Sequence, residues 1–355
     1  MTLDAGGTNF VFSAIQGNKE IVEPVTLPSH SDDLDLCLQI LIDGFHRIRQ
    51  SCRQDPVAIS FAFPGPADYK NGIIGDLPNL PAFRGGVALG PMLEEIYKMP
   101  VFINNDGNLF GLGESMAGLL PHVNKLLQKQ QKQFKNLIGV TLGTGFGGSV
   151  ILDGKMLVGD NSSAAEIWLL GNKKYSDSFI EESISIRAIK RVYAEQSGLD
   201  MDSIPEPRDI YKIGKGETPG HQQAALYAFT EFGGLLGDAL ANIVTIIDGI
   251  VVIGGGLAGA ADLFLPFVVE AMNKPMKRLD DGEVPRLEMS CFNLEDAEQR
   301  NDFIHAFIKT IQVPRSEKTV EYDTHPRIGV GLSRLGTSRA VAVGAYSYAL
   351  TRLES

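Results

Sequence analysis

Apolar positions along this chain follow two spacings, short extended runs and stripes with helical periodicity. Extended runs rich in β-branched residues predict strands over 9–15 and 21–26, joined by a short turn. Residues 31–52 then carry apolar side chains at three- and four-residue spacing, with Ser31 or Asp32 as the expected N-cap. The pattern predicts a helix that packs on a sheet.

The same spacings continue through most of the chain. Further strands are predicted at 57–62, 100–103, 137–142 and 250–253. Helices are predicted near 91–98, over 119–136, 178–196, 220–246 and 258–273, and near 338–353. Residues 274–325 show no clear periodicity and receive no assignment.

Two glycine-rich corners, at residues 3–9 and 142–148, each lie between short apolar runs. Each reads as a β-hairpin with a glycine corner. Because glycine accepts positive φ and has no Cβ, consecutive N–H groups can converge on a phosphate there. One such corner alone is an ordinary hairpin turn. The pair, with a third glycine run at 254–256 directly after a strand, predicts a phosphate-binding site.

The length of 355 residues and a repeated order of elements predict two domains. Strand, glycine turn, strand, turn and strand open both halves, which indicates an internal duplication. We place the domains at 1–117 and 118–337. The C-terminal helix near 338–353 is expected to pack back on the first domain.

Charge and cysteine content narrow the class of protein. The chain has 32 Lys and Arg against 43 Asp and Glu, a net charge of −11, which argues against a general nucleic-acid or membrane surface. ATP can still bind through backbone amides and Mg²⁺. Three widely spaced cysteines indicate reduced thiols. With no stretch judged long enough to span a membrane and no signal sequence, the expected location is the cytoplasm.

Asp106 follows the predicted strand 100–103 and precedes a helical pattern. One interpretation makes Asp106 or Asn108 the N-cap of that helix, a common role for both residue types. The other makes Asp106 a general base at the end of a strand, where open α/β sheets place their ligands. The residues alone leave both interpretations open.

Taken together, the motifs resemble the ROK family of repressors and sugar kinases, within the actin-like ATPase fold. The resemblance is carried, in chain order, by Asp4-Ala5-Gly6-Gly7-Thr8, Pro64-Gly65-Pro66, Asn79-Leu80, Asn105-Asp106-Gly107-Asn108 with Gly113-Glu114, residues 143–148, Glu166-Ile167, Gly254-Gly255-Gly256 and residues 336–349. It implies an α/β protein with two actin-like (ribonuclease H-like) domains, each a mixed sheet flanked by helices, and a ligand cleft between them. The implied reaction is ATP-dependent phosphorylation of a hexose, at its 6-hydroxyl.

The resemblance also implies roles for individual residues. Asp106 is the general base that accepts the proton of the attacking sugar hydroxyl, and Asp4 holds Mg²⁺ through water. The expected nucleotide contacts are Gly6, Gly7, Thr8, Asn9, Gly143, Thr144, Gly145, Gly254, Gly255 and Gly256. The expected sugar contacts are Gly65, Asn79, Asn105, Glu166 and Glu181, with Glu182 as an alternative to Glu181.

The sequence departs from the family pattern in one segment. The usual Gly-Glu-x-Gly-His, followed by a zinc-binding cysteine cluster, reads Ala-Glu-Ile-Trp-Leu at residues 165–169, with no cysteine before Cys291. We therefore predict no zinc, because the N and S ligands are missing. Trp168 either takes up some of the space of the lost histidine and stacks on a sugar, or is a core aromatic. Asn9 stands where the family commonly has Lys.

Two alternatives to an active kinase come from the same resemblance. A sugar-responsive regulator would carry a helix-turn-helix module ahead of the phosphate motif, and the chain starts directly at that motif, so no nucleic-acid partner is expected. A non-catalytic sugar-binding protein is motivated by the lost histidine and zinc cluster. Asp106 and both glycine corners favour catalysis. A homodimer is expected because dimers are common among relatives.

Overall fold

The structure is a computed structural model that describes residues 1–5, 8–65, 67–77, 80–130 and 132–354. Its strands are β1 (Thr2–Ala5), β2 (Asn9–Ser13), β3 (Ile15–Gln16), β4 (Lys19–Glu20), β5 (Val25–Pro28), β6 (Ile59–Ala62), β7 (Ala67–Asp68), β8 (Ile73–Ile74), β9 (Val101–Asn104), β10 (Leu137–Leu142), β11 (Phe146–Leu152), β12 (Lys155–Met156), β13 (Ile250–Gly254), β14 (Met276–Lys277), β15 (Glu283–Val284), β16 (Ser290–Asn293), β17 (Ile308–Gln312), β18 (Thr319–Asp323) and β19 (Arg327–Leu332). Its α-helices are α1 (Leu34–Ser51), α2 (Leu89–Tyr97), α3 (Asp106–Ala117), α4 (Leu119–Leu126), α5 (Ile186–Ser197), α6 (Pro207–Gly214), α7 (Gln222–Ile247), α8 (Ala261–Asn273), α9 (Ala297–Ile304) and α10 (Thr337–Leu353).

The chain divides into two compact units. The first comprises Met1–Pro121, Ser149–Ala165 and Ser333–Ser355, and the second comprises His122–Gly148 and Glu166–Leu332. The chain passes from one unit to the other within strand β11. The domain bounds drawn from the sequence, 1–117 and 118–337, stay a prediction.

The first unit places the carboxyl ends of three strands at one edge. Strands β1 and β2 form the predicted antiparallel hairpin, and β6 pairs in parallel with β9. The Met1 ammonium donates to the Ala58 carbonyl at 2.7 Å, and the Ser60 N–H donates to the Met1 carbonyl at 2.9 Å. This alternation is the hydrogen-bond pattern of parallel strands, so β1 runs beside β6 in the same direction.

Helix α1 covers the apolar face of the hairpin. Phe10 and Phe12 are fully buried, and the Phe12 ring meets Phe45 of α1 edge to face at 5.2 Å. The predicted N-caps, Ser31 and Asp32, are wrong. The cap is Asp33, because its backbone is extended and its carboxylate accepts from the N–H of Leu36 at 3.1 Å.

Helix α10 packs against α3 in the first unit so closely that the two backbones touch. An added Cβ at Gly113 would overlap the Ala340 carbonyl oxygen, and one at Gly344 would overlap the Leu109 carbonyl oxygen. Only glycine allows this approach. Because Asp106 begins α3, the contact also fixes that residue relative to the sheet edge.

Glu114 on α3 is fully buried and bound to the segment that leads into α10. Its carboxylate accepts hydrogen bonds from the Ser333 hydroxyl at 2.5 Å and from the Leu335 N–H at 3.1 Å. A third bond comes from the N–H of Leu119 at 2.7 Å. A buried carboxylate is tolerated only with such partners, so Glu114 joins α3 to the start of α10.

The second unit is built on parallel strands. Strands β10, β13, β19 and β16 lie side by side in this order, and β11 lies on the other side of β10. After the chain enters the first unit, the end of β11 pairs antiparallel with β12. Helices α7 and α8 cover the sheet of the second unit with fully buried side chains such as Phe229, Leu240 and Phe264.

Two predicted helices are shorter in the structure, for identifiable reasons. The helix predicted over 178–196 begins only at Ile186, because the Ile180 N–H donates to the Leu170 carbonyl at 2.8 Å and draws this stretch away from helical bonding. The helix predicted over 119–136 ends at Leu126. There the Asn124 side chain exchanges two hydrogen bonds with the Phe134 backbone, at 2.9 and 2.8 Å.

The unassigned stretch 274–325 holds short elements. Strand β16 adds the outermost parallel strand of the second unit, and β17 pairs with β18 as an antiparallel ribbon. Strands of two to five residues carry too few positions for a periodic signal.

By length and composition, the prediction that no stretch could span a membrane is wrong. Residues 222–247 and 256–273 each form a helical stretch that is long and apolar enough to do so. Both stretches contribute to the buried core of the second unit, which is also where long apolar helices of globular proteins lie.

Gly233 and Gly234, consecutive residues of α7, offer a test of helix packing. A Cβ at Gly233 would overlap the Phe264 carbonyl oxygen, whereas nothing lies within 4 Å of one at Gly234. We expect Gly233→Ala to lower the free energy of unfolding by about 1–3 kcal/mol through overpacking. Gly234→Ala should raise it by about 0.5–1 kcal/mol, because alanine favours helix. Urea denaturation measures both, and equal effects would contradict the packing described.

Candidate active site

The strand edge of the first unit gathers one group of predicted residues. Asp4 lies near the end of β1, and β9 ends one residue before Asn105. The N–H of Phe63 donates to the Asn104 carbonyl at 2.9 Å, which joins the loop containing Gly65 to the end of β9. The predicted contacts Gly6, Gly7 and Asn79 lie outside the described residues.

Thr8 and Asn9 lie where the first hairpin turns into β2. Both are exposed, and Asn9 pairs with Pro28 of β5. The Thr8 carbonyl accepts from the N–H of Ser29 at 2.9 Å. This bond holds the backbone of the hairpin and leaves the Thr8 side chain on the surface.

Asn105, and neither Asp106 nor Asn108, is the N-cap of α3. Its Oδ1 accepts from the N–H of Gly107 at 2.8 Å and from that of Asn108 at 3.4 Å. Asp106 Oδ1 also accepts from the Gly107 N–H, at 2.8 Å. Among the described side chains, none donates a hydrogen bond to Asp106 Oδ2. The capping interpretation of Asp106 is therefore wrong, and one carboxylate oxygen remains available for chemistry.

A buried pair of asparagines, which the sequence interpretation missed, supports this turn. Asn104 Oδ1 accepts from the Asn105 N–H at 2.8 Å and from Asn108 Nδ2 at 3.1 Å. Both side chains are more than nine-tenths buried. The spacing of four residues between two asparagines, one at a strand end and one on the following helix, is the sequence signal that could have identified the pair.

The environment of Asp106 disfavours its charged form. Burial raises the pKa of its carboxyl, and the negative charge of Asp4 adds to the shift. Hydrogen bonds from the backbone N–H groups of Gly107 and of Asp106 itself oppose this shift. Asp106 as a whole residue is exposed, so its carboxyl is only partly removed from solvent. A raised pKa brings a carboxylate closer to the range useful for proton transfer.

The absence of a side chain at Gly65 leaves room for a hydrogen bond of Tyr69 inside the first unit. An added Cβ would lie 3.0 Å from the Tyr69 hydroxyl, which donates to the Phe63 carbonyl at 3.0 Å. Because this hydrogen bond is buried, a side chain at residue 65 would disturb the loop.

The second glycine corner offers amide donors. The N–H of Gly143 already donates to the Gly145 carbonyl at 3.0 Å, and that of Phe146 donates to Glu181 Oε2 at 2.9 Å. Among the residues that the structure describes, the N–H groups of Thr144 and Gly145 have no acceptor. Two of the three predicted amides can therefore bind an anion such as phosphate.

The third glycine run packs against this corner. Thr141 lies opposite Gly254 in the register of β10 and β13. Gly255 has φ +87°, and an added Cβ would overlap the backbone of Leu142. Gly256 is exposed and begins a 3-10 turn rather than an α-helix. The second unit thus brings together the glycines that the sequence places 110 residues apart.

Glu181 rather than Glu182 lies at the glycine corner. Besides the bond from Phe146, its Oε1 accepts from Arg187 at 3.0 Å. Glu182 is bound to Arg187 at 2.7 Å and lies 3.5 Å from Arg191. Arg187, which the sequence interpretation missed, also donates to the Thr144 carbonyl at 3.4 Å.

Glu166 and Trp168 form a hydrogen-bonded pair. The indole Nε1 donates to Glu166 Oε2 at 2.6 Å, and the ring meets Phe179 edge to face at 5.5 Å. Trp168 is half-buried against the core of the second unit, and Glu166 is exposed. This packing agrees with the core-aromatic interpretation of Trp168, and its stacking on a sugar stays a prediction.

No group of three or more His, Cys, Asp or Glu side chains that could hold a metal ion occurs within the described ranges. Asp4 is exposed and makes no ion pair with another described residue. A single carboxylate together with waters and phosphate oxygens is a common environment for Mg²⁺. The donors present therefore fit a nucleotide-bound Mg²⁺.

Comparison with known proteins decides the family. A sequence model of the ROK family matches residues 1–290. The chain belongs to the ROK family. The glucokinase of Parabacteroides distasonis ATCC 8503 is 50% identical, with a TM-score of 0.89 over 99% of this chain and 96% of its own. The N-acetyl-D-glucosamine kinase of Photobacterium profundum is 29% identical over 276 residues, covering 72% of this chain and 83% of its own.

A third relative adds evidence on the fold. The ROK family glucokinase of Streptomyces griseus, solved in complex with glucose and AMPPNP, is 18% identical with a TM-score of 0.61, covering 97% of each chain. The predicted family and the α/β, actin-like two-domain fold are confirmed. This ROK protein is a sugar kinase, and its reaction class is the phosphorylation of a hexose.

Arg187 gives a test of how the corner is held. We expect Arg187→Ala to raise the Michaelis constants for ATP and sugar about fivefold, because Glu181 loses the cation that holds it. The melting temperature should barely change, since Arg187 is 42% exposed. Arg191→Ala is the matched control, because Arg191 contacts Glu182 alone of the two carboxylates. Equal effects of both variants on the Michaelis constants would contradict this role.

Proposed function

We propose that this ROK kinase transfers the γ-phosphoryl group of ATP to the 6-hydroxyl of glucose or a related hexose, with Asp106 as general base. The observation that carries the proposal is that Asn105 and Asp106 have separate roles at the start of α3. Asn105 caps the helix, so Asp106 keeps a carboxylate oxygen that accepts from no described side chain. A carboxyl with a raised pKa at a strand edge suits proton transfer.

The reaction forms one bond and breaks another. The sugar oxygen bonds to the γ-phosphorus as the bond from that phosphorus to the ADP oxygen breaks. The hydroxyl proton passes to Asp106 Oδ2. Because the transition state is loose, the protein contributes mainly through positioning and through donors for the spread negative charge.

Nucleotide contacts are proposed for both units. The N–H groups of Thr144 and Gly145 would donate to phosphate oxygens, with Gly143 shaping the turn. The exposed Thr8 would contact the same nucleotide, together with Gly6, Gly7 and Asn9. Gly254, Gly255 and Gly256 would lie against it. Mg²⁺, when bound, neutralises phosphate charge, and Asp4 would hold it through water.

Sugar contacts are proposed for amide and carboxylate side chains. Asn79, Asn105, Glu166 and Glu181 would bind hydroxyls, and Gly65 would leave room for the sugar. Glu181 is favoured over Glu182 because its carboxylate lies at the glycine corner. The 50% identical glucokinase supports glucose, and the N-acetyl-D-glucosamine kinase supports an N-acetylated relative as a second substrate class.

We further propose that the protein is a cytoplasmic homodimer without zinc and without a nucleic-acid partner. The acidic net charge of −11 supports the last of these.

A coupled ADP-release assay tests the reaction. With ATP and Mg²⁺, we expect turnover on at least one of glucose, mannose, N-acetylglucosamine, N-acetylmannosamine and fructose. Phosphate position on the product can be read by ³¹P and ¹³C NMR. No turnover on any of these sugars would contradict the proposed substrate class and favour sugar binding without catalysis.

Asp106→Asn tests the base directly. We expect kcat to fall at least about 100-fold, since a general base contributes that much or more, while sugar binding measured by calorimetry persists. In the wild type, activity should fall as the pH is lowered through the raised pKa of Asp106. A variant that keeps a substantial rate would show that another group is the base.

The same variant has a predicted effect on stability. Because the pKa of Asp106 is higher in the folded chain than in the unfolded chain, the native state binds more protons between those two pKa values. Stability from this residue is therefore present below the unfolded pKa and is lost as the pH rises through the folded pKa. At pH 7, Asp106→Asn should melt at a higher temperature than the wild type. The difference should disappear in acid, and a lower melting temperature at pH 7 would contradict the pKa shift.

A further inference from the structure

We infer that Trp168 is a positioning residue that orients the Glu166 carboxylate toward the sugar. The inference rests on the proposed sugar contact of Glu166. Its basis is the 2.6 Å hydrogen bond from the indole Nε1 to Glu166 Oε2. A hydrogen bond to a charged oxygen is among the stronger ones in proteins, so it can hold one side-chain conformation.

Local backbone geometry makes this bond possible. Residues Ile167–Leu169 form a single 3-10 turn, closed by the bond from the Leu169 N–H to the Glu166 carbonyl at 3.2 Å. Ile167 is buried and anchors the turn. The Glu166 side chain makes no capping bond to this turn. The indole is the hydrogen-bond partner of its carboxylate within the described chain.

The indole ring is itself held in place. It meets Phe179 edge to face at 5.5 Å and 89°, a favourable aromatic geometry. Phe179 directly precedes the 3-10 turn Ile180–Glu182, which carries Glu181. The Ile180 N–H donates to the Leu170 carbonyl at 2.8 Å. The two turns that carry the proposed sugar-binding residues Glu166 and Glu181 are therefore packed together. Trp168 contacts both turns, through its ring against Phe179 and its hydrogen bond to Glu166.

The hydrogen bond from the indole engages one carboxylate oxygen of Glu166 and leaves the other for a ligand. Glu166 Oε2 accepts from the indole, so Oε1 is the oxygen left for a sugar hydroxyl. A flexible exposed glutamate would lose side-chain entropy on binding sugar. Trp168 removes that cost in advance, which is preorganisation of the site. The residue thereby does more than fill the space of a missing histidine.

Five variants test the inference, and the fifth, Trp168→His, is a rescue variant. Trp168→Phe keeps an aromatic ring and loses the N–H donor, and Glu166→Ala removes the carboxylate. The double variant combines both changes. Leu169→Ala is the matched control, because Leu169 is 57% exposed on the same turn. Glucose binding without ATP is measured by calorimetry, and the Michaelis constants for glucose and ATP are measured with the assay above.

We expect Trp168→Phe to raise the Kd and Michaelis constant for glucose about tenfold, the loss of one charge-assisted hydrogen bond. The Michaelis constant for ATP should stay within twofold. In the Glu166→Ala background the Trp168→Phe change should have no further effect, because Trp168 acts through Glu166. Trp168→His, which restores an N–H donor, should recover part of the affinity. Leu169→Ala should bind like the wild type.

Wild-type fluorescence provides a readout that does not depend on any aromatic substitution. Trp168 is the single tryptophan of the sequence, so emission reports on this indole alone. Glucose should change the emission of the wild type and leave that of Glu166→Ala unchanged.

The outcomes separate this inference from the proposed function. Additive effects in the double variant, or unchanged affinity in Trp168→Phe, would overturn the positioning role while leaving Glu166 a sugar contact. Unchanged glucose affinity in Glu166→Ala, alongside turnover of glucose, would overturn both the sugar contact and the positioning role. Absence of both binding and turnover with every sugar would overturn the proposed function itself.

Discussion

The contact between the backbones of α3 and α10 is the constraint on which the first unit depends. Gly113 and Gly344 each face a carbonyl oxygen of the other helix, with no room for a Cβ. Such an approach leaves neither helix free to slide or rotate, because packed backbones have few alternative arrangements. Asp106 is the first residue of α3, so its distance from the strand edge follows from a contact made two turns further along the helix.

Glu114 strengthens the same junction by electrostatics. Its buried carboxylate accepts from a hydroxyl and from backbone N–H groups of the segment that leads into α10. Removing these partners would leave a buried charge unsatisfied, at a cost of several kcal/mol. Glu114, which belongs to the same family motif as the proposed base Asp106, therefore has a structural role. It joins parts of the chain that are 219 residues apart.

Three acidic side chains of the candidate site each accept a hydrogen bond that fixes the orientation of the side chain. Asn105 caps α3 and leaves an oxygen of Asp106 for the proposed proton transfer. Glu181 is held by the Phe146 N–H and by Arg187, and Glu166 by the Trp168 indole. Each carboxylate therefore has a fixed direction before any ligand arrives, which is what catalysis by positioning requires.

Sequence by itself determined the parts of this protein that depend on local physics. The hairpin at β1 and β2, the strands that precede each glycine run, and the long apolar helix α7 follow from residue spacing and from the backbone freedom of glycine. The motif order was enough to identify the family. Its residue roles remain predictions.

Only the folded structure decided which of several equivalent residues makes each contact. Asp33 and Asn105 are the N-caps because their backbones are extended and their side chains accept from N–H groups of the first helical turn. The helix expected over 178–196 starts late because a backbone bond to Leu170 competes for Ile180. The Asn104–Asn108 pair leaves only its four-residue spacing as a signal in the sequence, and the contacts of Arg187 and the Trp168–Glu166 bond leave none. These contacts depend on backbone conformation and on neighbouring elements, which residue spacing does not specify.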